Sequence, residues 1–294
     1  MKIAISSDNH LDVNRVDVAA TMEAQAAWLK QQEVAHYFFL GDLFNDFTRT
    51  QSYFKELADQ LPGVGIHYLA GNHDMIKGAS FAEIEENDDP CYFHRRYLDL
   101  GANWRVVGNN GWYNYDFSVY HDQPAEVAKW KRVYWLDSTI DQPISDQARE
   151  DLVLGQVASQ LTAAKRVGKR VLFLTHFAPR HQALMVRPTK VKGPRMERSF
   201  QMIRALMGAD QLGDLLEASG VVQTAYYGHL HGLHPTFTHG GVTYVNPAVG
   251  VNKKRMNEWQ RPTFMEQWAW RTKIVDLDKK VWKRSCNYPE GSVI

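Results

Sequence analysis

Ile3-Ala4-Ile5-Ser6-Ser7-Asp8-Asn9-His10 opens the chain with an apolar run that ends in a carboxylate, an amide and an imidazole. A run this short, closed off by polar residues, reads as a buried strand with its reactive side chains just past the carboxyl end. The pattern recurs twice. Asp17 to Glu33 places Val18, Met22, Ala26 and Leu29 on one helical face, and Tyr37 to Leu40 is a second strand, ending in Gly41-Asp42. A helix is expected around Ser52 to Gln60, and Ile66 to Ala70 is a third strand, ending in Gly71-Asn72-His73-Asp74. Residues 1 to 75 therefore read βαβαβ, the pattern of a parallel sheet with right-handed crossovers. In such sheets functional groups gather beyond the carboxyl ends of the strands.

Further along, residues 81 to 104 read as mixed helix and loop. Arg105 to Val107 and Trp112 to Tyr120 are expected as two strands around a Gly108-Asn109-Asn110-Gly111 turn. From His121 to Ser145 the chain is aromatic and charged without a period, so 112 to 145 is a candidate lid insertion. Val153, Val157 and Leu161 mark a helix running to about Val167 and stopped by Gly168; Val171 to Leu174 is the strand that delivers Thr175-His176. Residues 178 to 198 read as a long basic loop, followed by two short helices carrying Phe200, Ile203 and Met207, then Leu212, Leu215 and Leu216. The strand Val221 to Tyr226 leads into Tyr227-Gly228-His229-Leu230-His231-Gly232. Pro235 to Thr238 and Val242 to Val245 flank a His239-Gly240-Gly241 turn as a hairpin, and Lys273 to Leu277 with Val281 to Arg284 reads as another. That second hairpin lies in a C-terminal extension, 255 to 294, to which no chemistry is assigned. One domain over 1 to 294 is expected, with two sheets sharing one site.

Composition narrows the function classes. A net charge of +1, from 34 basic and 33 acidic side chains, gives no whole-molecule field for nucleic acid or membrane. The cysteines, Cys91 and Cys286, form no CxxC pattern and suggest neither a disulfide framework nor a thiolate metal site. The N-terminus turns polar too soon for a signal peptide and no apolar run approaches a membrane span, so a soluble cytoplasmic protein is expected.

Carboxylate, imidazole and amide groups without thiolate suit borderline metals such as Mn, Fe or Zn. Asp8, His10, Asp42, Asn72, His176, His229 and His231 are too many for the four ligands of a structural zinc. Two ions sharing one carboxylate would use them all. Such a pair clamps the attacking and leaving oxygens of an in-line displacement and makes hydroxide available near neutral pH. His229 and His231 can both reach one site if the chain leaves strand geometry there.

The ordered set Asp8-x-His10, Gly41-Asp42, Gly71-Asn72-His73-Asp74, Thr175-His176 and Gly228-His229-x-His231 resembles the motifs of the calcineurin-like metallophosphoesterase superfamily, intact and in order. The resemblance implies an α/β fold, a four-layer αββα sandwich of two mixed β-sheets flanked by helices. It implies one metal held by Asp8, His10, Asp42 and His231 and another by Asp42, Asn72, His176 and His229, with Asp42 as the bridge. The cofactors would be two divalent or trivalent ions, Mn, Fe or Zn. His73, not a ligand, would stabilise the transition state or protonate the leaving oxygen, with Asp74 as its orienting partner. The implied activity is phosphoester hydrolysis by a metal-bridging hydroxide, a phosphodiester being preferred. The alternatives are a nucleotide or protein Ser/Thr phosphomonoesterase, or a non-catalytic scaffold, against which the intact ligand set argues.

Other residues receive plainer readings. His36, His67, His94 and His239 are expected to be structural, while His181 and His234 lie near the motifs and are candidates to support ligands. Arg180, Arg187, Lys190, Lys192, Arg195 and Arg198, against Glu197 alone, form either an anion-attracting rim or a solvated charged loop. Trp112, Tyr113, Tyr115, Trp130, Tyr134 and Trp135 are expected in core or lid packing; stacking on a nucleobase, and with it a nucleic-acid partner, is the less favoured reading.

Overall fold

The computed structural model describes residues 1–254 and 256–278. The chain begins β1 (Lys2–Ser6), α1 (Val18–Gln32), β2 (His36–Phe39), α2 (Phe47–Gln60) and β3 (Gly65–Tyr68). It continues with α3 (Phe81–Glu85), β4 (Arg96–Leu100), β5 (Trp104–Gly108), α4 (Pro124–Tyr134), α5 (Asp146–Arg166) and β6 (Arg170–Thr175). The last part holds α6 (Gly193–Ala205), α7 (Asp210–Ser219), β7 (Val222–Tyr227), β8 (Phe237–His239), β9 (Val242–Val245), β10 (Asn252–Lys253), β11 (Met256–Asn257), α8 (Phe264–Arg271) and β12 (Lys273–Asp276).

Two mixed sheets result. The first has the order β12-β1-β2-β3, with β1, β2 and β3 parallel and β12 antiparallel on the edge. The second has the order β4-β5-β6-β7-β9-β8, parallel from β5 through β9 with an antiparallel strand at each side.

Strand alternation builds the layers. Ile3, Ile5, Phe38 and Leu40 of the first sheet meet Val106, Leu172, Leu174, Tyr226 and Val245 of the second in one buried cluster between the sheets. Their neighbours in sequence point the other way: Ala4, Tyr37, Phe39 and Ile66 pack beneath Met22, Ala26, Leu29, Phe54 and Leu57 of α1 and α2. On the opposite side Val171, Phe173, Ala225 and Tyr227 lie under Val153, Val157 and Leu161 of α5 and Leu212 and Leu216 of α7. Helix, sheet, sheet, helix is thus the order of layers. No helix among the described residues is long and apolar enough to cross a membrane.

Several sequence expectations are corrected. Helix α2 starts at Phe47 rather than near Ser52, because the Asp46 side chain accepts from the Arg49 backbone N–H at 3.1 Å and caps it. Trp112 to Tyr120 is not a strand, and Gly108 to Gly111 turns no hairpin: β5 lies between antiparallel β4 and parallel β6. Trp112, Tyr113 and Tyr115, expected in core or lid packing, are buried in the core, with the Trp112 indole and the Tyr115 hydroxyl donating to Asp146. The basic loop after His176 is shorter than expected, since α6 begins at Gly193. Beyond it, β12 pairs with β1 rather than being read only as half of a C-terminal hairpin; Val281 to Arg284 lie outside the described residues. Helix α8 was not foreseen, although Thr263 and Glu266 form a reciprocal capping box at its start. It buries Trp268 against Trp28 and Tyr37, and the indole N–H donates to Ser6 Oγ at 3.2 Å.

Candidate metal centre

Five strand ends converge on one place. Past β1, the Asp8 N–H donates to the Gly41 carbonyl at 2.9 Å and the His10 N–H to that of Asp42 at 3.0 Å. Past β6 and β7, the Gly228 N–H donates to the His176 carbonyl at 2.9 Å. Asp8, His10, Asp42 and His229 all adopt positive φ, between 43° and 65°. Left-handed backbone is unfavourable for side-chain-bearing residues and collects at functional sites. At His229 it is the departure from strand geometry that lets His229 and His231 serve one site. The glycines of the motifs are matters of space. A Cβ on Gly71 would stand 2.1 Å from Asp42 Oδ1, and one on Gly228 2.2 Å from Ser7 Oγ.

The candidate ligand atoms fall into two groups. Asp8, His10, Asp42 and His231 form one and Asp42, His176 and His229 the other, each with its atoms within 4.8 Å of one another. Asp42 belongs to both. In the first, His231 Nε2 lies 3.2 Å from Asp8 Oδ1 and 2.9 Å from His10 Nε2, with His10 Nε2 3.6 Å from Asp42 Oδ2. In the second, His176 Nε2 lies 3.5 Å from Asp42 Oδ2, and Asn72 Oδ1 is 3.2 Å from His176 Nε2 and 3.0 Å from His229 Nδ1. All seven residues expected as ligands are therefore brought together.

The donor set fits metal ions. His176 Nδ1 faces the Leu40 carbonyl at 2.8 Å and must carry a proton to bond it, so Nε2 is the nitrogen turned toward Asp42 and Asn72, where a proton or a metal ion can sit. Acceptors that converge on one another call for a cation between them. The electrostatics agree. Burial lowers the proton affinity of His176, but Asp42 and Asp8 reverse it and raise His176 to about 9. Burial likewise opposes protonation of His231, yet Asp8 and Glu258 raise it to about 10. Burial opposes ionisation of Asp42, and His176 and His73 outweigh it, holding the carboxyl well below the usual range. His229, with burial and then His176 acting on it, is pushed down to about 3. The cluster attracts positive charge and offers imidazole, carboxylate and amide donors without thiolate, a set that suits borderline divalent metal ions.

His73 stands beside this set. Its backbone N–H donates to Asp42 Oδ1 at 2.9 Å, and its ring lies edge-on to that of His10 with centroids 4.7 Å apart. Asp74 does not orient it, which corrects the sequence expectation. The Asp74 carboxylate accepts instead from the backbone N–H groups of Asp42, Leu43, Phe44 and Gly71 and from the Thr50 hydroxyl. It locks the Asp42 loop to the Gly71 loop, because a buried carboxylate takes the orphan N–H groups nearest to it. Asn45 Oδ1 holds the His73 ring, at 2.6 Å from Nδ1.

Three supporting residues were missed from sequence. Asn45 follows the Gly41-Asp42 motif closely, and a polar residue so near a ligand was a usable signal. Asp137 accepts from Asn72 Nδ2 at 2.8 Å and from the Tyr113 hydroxyl at 2.9 Å, turning the Asn72 oxygen toward the ligands. It comes from the aperiodic stretch, where nothing marked it. Glu258 Oε2 lies 3.0 Å from His231 Nδ1.

The other histidines lie apart from the ligands. His36 and His67 pair at 3.2 Å, His94 meets Glu85, His239 meets Glu217 and His181 meets Asp210. His234 is buried and bonds the carbonyls of Ala183 and His231, so it supports the loop that carries a ligand. Arg180 is buried against Asp214 and Glu217, while Arg187 and Arg198 pair with Glu197 and Glu126, which ties down half of the expected basic rim.

The model of the calcineurin-like phosphoesterase family matches residues 1–233. The chain belongs to this family. Among curated relatives it is 36% identical over 88 residues to a UDP-2,3-diacylglucosamine hydrolase of Porphyromonas gingivalis, a stretch covering 25% of this chain and 33% of the relative. The chain thus spans about a third of that relative's length. Among solved structures it is similar to a dimetal phosphatase from Danio rerio, with a TM-score of 0.51 and 13% identity over 84% of this chain and 86% of the other. That likeness concerns the fold alone. Glu258 lies beyond the part of the chain that matches the calcineurin-like phosphoesterase model, whereas every expected ligand lies within it.

Proposed function

We propose that this calcineurin-like phosphoesterase hydrolyses a phosphoester with two metal ions, one held by Asp8, His10, Asp42 and His231 and the other by Asp42, Asn72, His176 and His229. The supporting observation is that Asp42 belongs to both ligand groups. Two ions so held would acidify water to a nucleophile and neutralise charge on the phosphoryl oxygens. The chain's own residues do the rest. Asp137 keeps the Asn72 oxygen turned inward, and Asp74 fixes the spacing of the Asp42 and Gly71 loops. The Asn45 oxygen accepts from His73 Nδ1–H, which leaves His73 Nε2 to carry the proton delivered to the leaving oxygen.

A diester is preferred over a monoester. The preference follows the resemblance to bacterial members of the family that carry the motifs present here as Asp8-x-His10 and Gly71-Asn72-His73-Asp74. The test is turnover of bis(p-nitrophenyl) phosphate and p-nitrophenyl phosphate after Mn loading. Higher kcat/KM on the diester is expected, and higher kcat/KM on the monoester would reverse the preference.

A further inference from the structure

We infer that Glu258 is a positioning residue of the metal centre: it fixes the tautomer and ring orientation of His231, so that His231 presents Nε2 to the ion it shares with Asp8 and His10. Glu258 Oε2 lies 3.0 Å from His231 Nδ1, on the side of the ring away from Asp8 and His10. An ionised carboxylate can only accept, so Nδ1 keeps a proton and Nε2 is the nitrogen left to bind an ion once its own proton is displaced. A histidine ligand whose second nitrogen donates to a carboxylate is both oriented and made more basic, and removing such a partner typically weakens metal binding about 10- to 100-fold.

Glu258 is itself held by the backbone. Its Oε2 accepts from the Val251 N–H at 2.8 Å, and its own N–H donates to the Val251 carbonyl at 2.9 Å. The preceding residues are stitched to the Asp8 loop: the Val249 N–H donates to the Ser7 carbonyl at 2.9 Å and the Gly250 N–H to the Asp8 carbonyl at 3.1 Å. Trp259 closes the strap, its indole donating to the Gly250 carbonyl at 3.0 Å. Gly250 has φ +79°, and a Cβ there would come within 2.9 Å of Glu258 Oε2, so the approach needs glycine. The strap thus anchors one carboxylate behind one ligand while touching the loop of another. A chain segment that carries no ligand thereby acts on a single metal position.

The inference rests on the two-metal reading, and the experiment separates the two. Mn(II) is titrated by calorimetry into the metal-free full-length wild type, Glu258→Ala and Glu258→Gln, each with its fold checked by circular dichroism. The wild type is expected to bind two ions. Glu258→Ala should weaken one of them about 10- to 100-fold and leave the other within about twofold. Glu258→Gln should fall between, since an amide oxygen still accepts from Nδ1–H but carries no charge. Two unchanged affinities in Glu258→Ala, or equal weakening of both sites in both variants, would overturn the positioning role while leaving the centre intact. A wild type that binds fewer than two ions would overturn the centre and this inference with it.

Discussion

Residue by residue, the seven proposed ligands and His73 differ from the groups that hold them in how visible they are. A ligand histidine sits in a motif whose other members explain it, so Asp8, His10, His229 and His231 could be picked out in sequence. Asp137 and Glu258 could not, because a supporting carboxylate has only to lie within hydrogen-bond distance and can come from anywhere in the chain. Asp74 shows the converse: its place beside His73 suggested a partnership, but four backbone N–H groups claim its carboxylate. His73→Ala is expected to keep both ions and lose about 10²- to 10⁴-fold in kcat, as for loss of a general acid. Release of both ions from that variant would place His73 among the ligands instead.

A second residue-scale prediction concerns pH. Glu150, buried in α5, has its carboxyl pushed well above the usual range, by burial first and then by Asp116 and Asp151. The folded protein therefore holds this proton more tightly than the unfolded chain, and stability falls as pH rises above the unfolded glutamate value of about 4.3. Glu150→Gln cannot ionise, so its decline in urea midpoint between about pH 5 and pH 8 should be shallower than that of the wild type. Equal declines would show that Glu150 does not contribute.

Among the elements, strands and amphipathic helices with clear periods were legible, and their ends carry the ligands. What misled was the stretch after β5. Trp112, Tyr113 and Tyr115 have the composition of a strand, yet they follow the chain into the core as loop, their polar ends satisfied by Asp146 and Asp137. β propensity there yields to tertiary hydrogen bonding. Strand β6 joins the inter-sheet core to the site, because Leu174 packs between the sheets and His176 follows two residues on. Leu174→Ala should lower unfolding free energy by about 2 to 5 kcal/mol, measured by urea denaturation. A loss under about 1 kcal/mol would mean that this layer is less tightly packed than described.

Across the whole molecule, two sheets pack face to face and each contributes part of the proposed ligand set, the first through Asp8, His10, Asp42 and Asn72, the second through His176, His229 and His231. The first half was read directly from its βαβαβ alternation. The second-sheet residues were placed by their motifs, since β7 pairs in parallel with β6 and with β9, the latter reached only after an irregular loop and β8, and local pattern does not reveal such pairing. β12 depends on the global fold in the same way, pairing with β1 at the other end of the chain. One site built from both sheets places Asp42 in both candidate ligand groups, so both proposed metal positions should depend on it. Elemental analysis of the wild type and Asp42→Asn after identical Mn loading and desalting tests this most directly. Two ions per wild-type chain and a loss from both positions in Asp42→Asn are predicted; a wild type with one ion, or an Asp42→Asn variant that keeps two, would contradict it.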